Sequence, residues 1–142
     1  MVDSRDEKII NILIKDARQS SQKIARRLGI NSSTVRRRIN RLVQNGVLRI
    51  VAVPDPVALG YELRAVIAFD VSHEKLNSVI EVLASQPEIK WAAATTGRFD
   101  VIALGWFTSA EALYEFMEKK ISKLKGIRDS ETFICLNIKK SF

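Results

Sequence analysis

The chain lacks most of what small-molecule chemistry requires. Its 142 residues include one cysteine, Cys135, and one histidine, His73. A single cysteine allows no disulfide framework within the chain, so a reducing compartment is expected. No Cys/His spacing suits a metal, and neither a Walker loop nor a GxGxxG turn occurs, so no metal or cofactor is expected. No apolar run approaches about 18 residues, which argues against a membrane span. Charges at Asp3, Arg5, Asp6, Glu7 and Lys8 interrupt the start of the chain, which argues against a signal peptide. The expected location is the cytoplasm. Residues 1–50 contain no Phe, Trp or Tyr, so they make a poor membrane-surface helix.

What is present is positive charge, and it is unevenly placed. Residues 1–50 hold 12 Lys and Arg against 4 Asp and Glu, whereas residues 51–142 hold 11 against 12. A basic module joined to a near-neutral one suggests that only the first half meets a polyanion, with nucleic acid the leading candidate. A module of about 50 residues is marginal as an independent folding unit. It is expected to draw stability from the second half or from a partner subunit.

The basic module reads as three short helices. Ile9, Ile10, Leu13 and Ala17 recur at helical spacing. Ser20 or Ser21 caps a second helix with Ile24, Ala25 and Leu28 inward, ended by Gly29. In residues 31–48, NSSTVRRRINRLVQNGVL, Asn31 is the expected N-cap, and Val35, Ile39 and Leu42 form the core stripe. Gly46 stands where a C-cap is usual. Ser33, Arg36, Arg37, Asn40 and Arg41 then point outward. Three helices with a tight glycine turn before the third match helix-turn-helix geometry. The third helix can place serine, asparagine and arginine on base edges in a major groove. The expected DNA-facing set is Ser32, Ser33, Arg36, Arg37 and Asn40, with Arg26, Arg27 and Arg41 on phosphates. Arg38 lies nearer the core and is expected to form an internal salt bridge or meet a phosphate. A plain three-helix bundle with a solvated arginine face fits the same periodicity. The clustering of arginines on the one helix that the tight turn presents favours DNA.

Leu48–Val53 reads as a strand, broken by Pro54-Asp55-Pro56. The expected division is a helix-turn-helix domain at 1–50, a connector at 51–61 and a second domain at 62–142. That second domain alternates: a strand over 62–71 and a Ser72-capped helix with Leu76, Val79, Ile80 and Leu83 inward. A hairpin follows, with strands 89–96 and 101–107 around Gly97-Arg98-Phe99. A helix capped by Thr108 and Glu111, ended at Gly126, leads into a final strand over 130–138. The order βαββαβ is ferredoxin-like, so the fold class is α+β. One sheet face stays open, carrying Ala92, Ala94 and Trp106 or their neighbours, and an open apolar face marks association as at least a dimer. His73 reads as a surface residue, Cys135 as core, and Trp91 and Trp106 as sheet or interface packing. The hairpin segment Thr96, Gly97, Arg98 and Asp100 offers backbone donors, a guanidinium and a carboxylate. This set complements the two charged groups of a free amino acid, and the same segment also reads as a plain hairpin loop with a satisfied aspartate.

The chain resembles the Lrp/AsnC family of transcriptional regulators along essentially its whole length. The resemblance rests on VDSRDEKIINILIKDAR, IARRLGINSSTVRRRINRLVQNGVL, PDPVALGY, TGRFDV and KGIRDSETFICLNIKK, in that order. Asn31-Ser32 departs from the Ser-Pro often found there. The resemblance implies a DNA-binding regulator built of dimers, often assembled to tetramers or octamers. It also implies an amino-acid effector bound between subunits near the hairpin, with Glu131 or Thr132 added from the neighbouring subunit. Two other readings share the architecture: a sirohaem-decarboxylase-like enzyme, and an architectural DNA binder with no ligand. The basic outer face and the single histidine weigh against the enzyme.

Overall fold

The computed structural model describes residues 2–139, so the last three residues of the expected second domain lie outside it. The contacts divide the chain into two compact units, Met1–Ala52 and Val53–Phe142. The division falls within the segment read as a connector.

The first unit holds α1 (Ser4–Lys15), α2 (Ser21–Leu28) and α3 (Ser32–Gln44). Asp3 caps α1, and its carboxylate accepts from the N–H groups of Arg5 and Asp6. Ser20 caps α2 through the Lys23 N–H, and Gly29 ends it in the left-handed conformation. Ile9, Leu13, Ile24, Ala25 and Val35 are buried together, with Ile39, Leu28 and Leu48 packed on them. Asn31 sits at the N-cap of α3 but its side chain makes no capping bond, unlike the expectation. The first-turn N–H groups of α3 are left uncapped, at the positive end of the helix dipole.

The strand expected over 48–53 does not form. A strand exists only where a second strand satisfies its N–H and C=O groups. Among the described residues none pairs with it. Ile50, Val51 and Val53 are more than half exposed.

The second unit is a four-stranded antiparallel sheet in the order β2-β3-β1-β4. Its strands are β1 (Leu63–Val71), β2 (Ile89–Ala94), β3 (Val101–Phe107) and β4 (Ile127–Ile134), with α4 (Leu76–Ser85) and α5 (Ala110–Phe116) between them. One 3-10 turn, His73–Lys75, precedes α4, and Ser72 gives it no side-chain cap. The cap of α5 is Ser109, which accepts from the Ala112 N–H; Thr108 is one residue too early. The final strand starts three residues before the expected start and stops four before the expected end, because its ladder with β1 begins at Val71 and ends at Ala65.

One face of the sheet, with Ile67, Phe69, Val101 and Phe107, buries against Val79, Leu83, Leu113 and Phe116 of the helices. Gly105 makes this packing possible. A Cβ there would stand 2.6 Å from the Phe107 ring, which lies tilted against Phe116 with ring centroids 5.4 Å apart. The register puts Trp91 opposite Leu104 and Ala93 opposite Ile102. The alternation of β3 puts Ile102, Leu104 and Trp106 on the face away from the helices. The uncovered face therefore carries Trp106 as expected, with Trp91 and Ala93. Ala92 and Ala94 turn the other way, and Ala92 packs on the core. A bulge between Ile89 and Trp91 sets this parity, and a one-residue shift moves every side chain to the opposite face.

Candidate nucleic-acid interface and effector hairpin

Ser33, Arg36, Arg37, Asn40, Arg41 and Gln44 line one shallow groove along α3. Their spacing is that of a single helix face. All six are exposed, while Val35 and Leu42 on the opposite side are buried. Ser32 is half-buried in the first turn, outside the groove lining. Arg26 and Arg27 are exposed in the last turn of α2. Among the described residues, no carboxylate lies within 4.0 Å of Arg26, Arg27, Arg36 or Arg37. These four guanidinium groups are uncommitted positive charge.

Arg38 and Arg41 differ. Arg38 Nη1 donates to Asp3 Oδ2 at 2.6 Å and to Asp6 Oδ1 at 2.9 Å, which is the internal bridge expected of it. Arg41 Nη2 donates to Asp6 Oδ2 at 2.6 Å. Arg41 is thus not the unpaired cation that its place on the outer face implied. Asp6 is fully buried, and its Oδ2 also accepts from the Asp3 N–H at 3.1 Å. Burial pushes the Asp6 carboxyl up, but the Asp3 N–H, the Arg38 bond and the Arg41 charge outweigh it. The net direction is down. The Arg38 bond and the Asp6 N–H hold Asp3 at about 2. Reading Asp3 and Asp6 only as charges near the start of the chain missed this network. The signal was there: Asp6 shares the buried stripe of Ile9 and Leu13, at i, i+3 and i+7.

The hairpin is built around Asp100. Its N–H donates to the Phe69 carbonyl at 2.9 Å, and its Oδ2 accepts from the Val71 N–H at 2.8 Å. Arg128, which bonds Asp70 at 2.8 Å through Nε, brings Nη2 to 3.9 Å from Asp100. One carboxylate oxygen therefore ties the hairpin to β1 and is not a free acceptor. Thr95 Oγ1 donates to the Phe99 carbonyl at 2.8 Å. Gly97 adopts φ 118°, a conformation that glycine supplies at least strain. Thr96, Gly97 and Arg98 are exposed, and the Arg98 guanidinium lies 5.0 Å over the Phe99 ring. Glu131 and Thr132 lie on β4, which β1 separates from β3 and the hairpin. They point to opposite faces of that strand. One chain therefore does not bring the six expected effector residues together. Arg128 and Asp70, which flank the hairpin, were not foreseen, because only the β1–β4 register puts them there.

Residues 2–49 match the model described as winged helix-turn-helix DNA-binding. Residues 64–142 match the Lrp/AsnC ligand binding domain. An HTH-type transcriptional regulator of Pyrococcus furiosus is 38% identical over 99% of this chain and 95% of its own length. The chain belongs to the Lrp/AsnC family. It is a transcriptional regulator with a helix-turn-helix at one end and a ligand-binding domain at the other. Escherichia coli AsnC superposes with a TM-score of 0.89 at 25% identity, over 100% of this chain and 97% of that one. A Neisseria meningitidis regulator solved with L-methionine superposes at 0.90 and 22% identity, over 99% of this chain and 94% of that one. This second likeness speaks for the Lrp/AsnC fold. No helix of the described residues is long and apolar enough to cross a membrane.

Proposed function

We propose that the chain binds operator DNA through α3 and that a free amino acid or related small metabolite adjusts that binding through the second unit. The observation that carries the reading is the α3 groove, where exposed Arg36, Arg37 and Asn40 stand beside Ser33 and, among the described residues, no carboxylate lies within 4.0 Å of the two arginines. Arg36, Arg37 and Asn40 have the donors and acceptors for base edges in a major groove. Arg26 and Arg27 supply phosphate contacts that fix orientation without reading sequence. An uncovered sheet face bearing Trp91, Ile102, Leu104 and Phe133 favours a second copy as its cover, giving an isologous dimer with two recognition helices. Assembly to a tetramer or octamer rests on the family alone. The named relatives are regulators, which favours this role over a sirohaem-decarboxylase-like enzyme. A DNA partner and a lone cysteine make the cytoplasm the expected location.

For the effector, the hairpin provides exposed Thr96, Gly97 and Arg98 and the second oxygen of Asp100. Glu131 or Thr132 would then come from a neighbouring subunit. Two measurements test the reading. Fluorescence anisotropy with a labelled duplex should show affinity falling steeply with salt, as phosphate contacts release counterions. Thermal-shift screening against the standard amino acids should find one that stabilises the protein by about 2.7 kcal/mol at 100 times its Kd. No duplex binding at low salt would overturn the DNA role. No response to any amino acid would favour the ligand-independent binder.

A further inference from the structure

Four arginines fall within six residues of α3: Arg36, Arg37, Arg38 and Arg41. Such a cluster repels itself, and one fully buried carboxylate lies against it. Asp6 is 0% exposed, yet all its visible bonding is complete: the Asp3 N–H, Arg38 Nη1 and Arg41 Nη2. A tie needed only to hold α1 against α3 could be apolar, since replacing a buried ion pair with packed hydrocarbon is often neutral or stabilising. This tie instead reaches an arginine that lines the α3 groove. The Arg41 side chain is 48% exposed, so one end of its guanidinium is held from behind while the rest faces solvent beside Arg37, Asn40 and Gln44.

We propose that Asp6 is a positioning residue for DNA: it holds Arg41 from behind and aims the remaining guanidinium donors along the α3 groove. The inference rests on the reading of that groove as the DNA-binding face. The physical gain is entropic. A free arginine side chain loses rotamer freedom when it is fixed. A guanidinium already clamped by a buried carboxylate has lost part of that freedom before the duplex arrives, so less is lost on binding. The planar fork permits the arrangement, since one nitrogen can bond inward while the others bond outward. Arg38 has a different duty. Its side chain is 18% exposed and bridges both aspartates, so it carries the packing of α1 on α3. Arg41 carries the outward contact.

A double-mutant cycle tests this on the full chain, with anisotropy of a fluorescein-labelled mixed-sequence duplex at low salt and circular dichroism to confirm folding. Arg41→Ala and Asp6→Asn should each weaken binding about tenfold. The double variant should bind like Arg41→Ala alone, because Asp6 acts through Arg41. A merely structural role for Asp6 would instead make the losses additive, about a hundredfold in the double variant, and would overturn the proposal. If Asp6→Asn does not fold, Arg41→Lys decides. Lysine keeps the charge but not the fork. Binding as weak as that of Arg41→Ala supports the positioning role, and binding equal to wild type overturns it. If the wild-type protein binds no duplex, the reading of the groove falls first and takes this inference with it.

Discussion

Asp6 in the first unit and Asp100 in the second have similar partners and different surroundings. Each accepts from one backbone N–H and stands near arginine from a distant element. Asp6 is fully buried and gives both oxygens to guanidinium groups at 2.9 and 2.6 Å. The Asp100 side chain is 41% exposed, and its arginine stands at 3.9 Å. The contrast shows how burial sets what a carboxylate does. Where water is excluded, every donor to it is held in place, because nothing replaces a lost partner. Where water reaches, one oxygen can tie down a turn while the other stays open to exchange.

The sharpest way to break the comparison is to remove the buried member. Asp6→Ala leaves Arg38 and Arg41 without their shared carboxylate. Loss of one partner from a fully buried ion pair costs about 3 to 5 kcal/mol, and the loss here is smaller, because Arg41 is half exposed and Arg38 keeps Asp3. A module of 52 residues has little more than that to lose. Both tryptophans, Trp91 and Trp106, lie in the second unit. Helix loss followed by far-UV circular dichroism should therefore come at lower urea than in wild type, while tryptophan emission changes where it did before. An unchanged first transition would mean that the buried network adds no net stability.

Acid should act on the same network more gradually. Both carboxyls titrate below the ordinary 3.8 in the folded protein, Asp3 at about 2 and Asp6 also lowered. A lowered folded value means stability that is complete at neutral pH and is lost as pH falls through the folded value. The window runs from 3.8 down to about 2. In the second unit, burial raises Glu88, but its bond from Lys120 leaves it below its ordinary 4.5. That pair is only partly buried, so solvent screens it. Helical dichroism should fall before tryptophan emission responds in an acid titration. Simultaneous loss of both signals would place the acid-sensitive contacts elsewhere.

The two aspartates also mark what was legible in the sequence. The three helices, the βαββαβ order, the open sheet face and the basic face of α3 are local periodicities of 3.6 or 2, and the chain writes them out directly. Arg36 and Arg37 of α3 belong to that class, because their direction follows from Val35 and Leu42 on the other side. Pairing between distant elements is not written locally. The Arg41–Asp6 bond spans 35 residues, and Asp100 meets Val71 across 29. The same limit explains the strand expected over 48–53. Its β-forming residues are present, but its ladder partner is not among the described residues. It also explains Ala92 and Ala94, whose face depends on a bulge that periodicity does not reveal.

The smallest expected effect is at the exposed member. Asp100→Ala removes the acceptor for the Val71 N–H and leaves Arg128 its bond to Asp70 at 2.8 Å. Water reaches the site, so the orphaned N–H finds another partner and the loss should be about 1 kcal/mol. Asp100→Asn should lose less, since an amide oxygen can still accept from Val71 while the charge is gone. On stability the two variants should therefore rank alanine below asparagine, with both far above Asp6→Ala. On effector response they should be alike, because neither offers a charged oxygen to an ammonium group. Tryptophan-detected unfolding gives the first ranking, and the amino-acid thermal shift gives the second. If Asp100→Asn keeps the full thermal shift, the free oxygen is not the ammonium acceptor, and Asp100 serves the hairpin alone, as Asp6 serves α3.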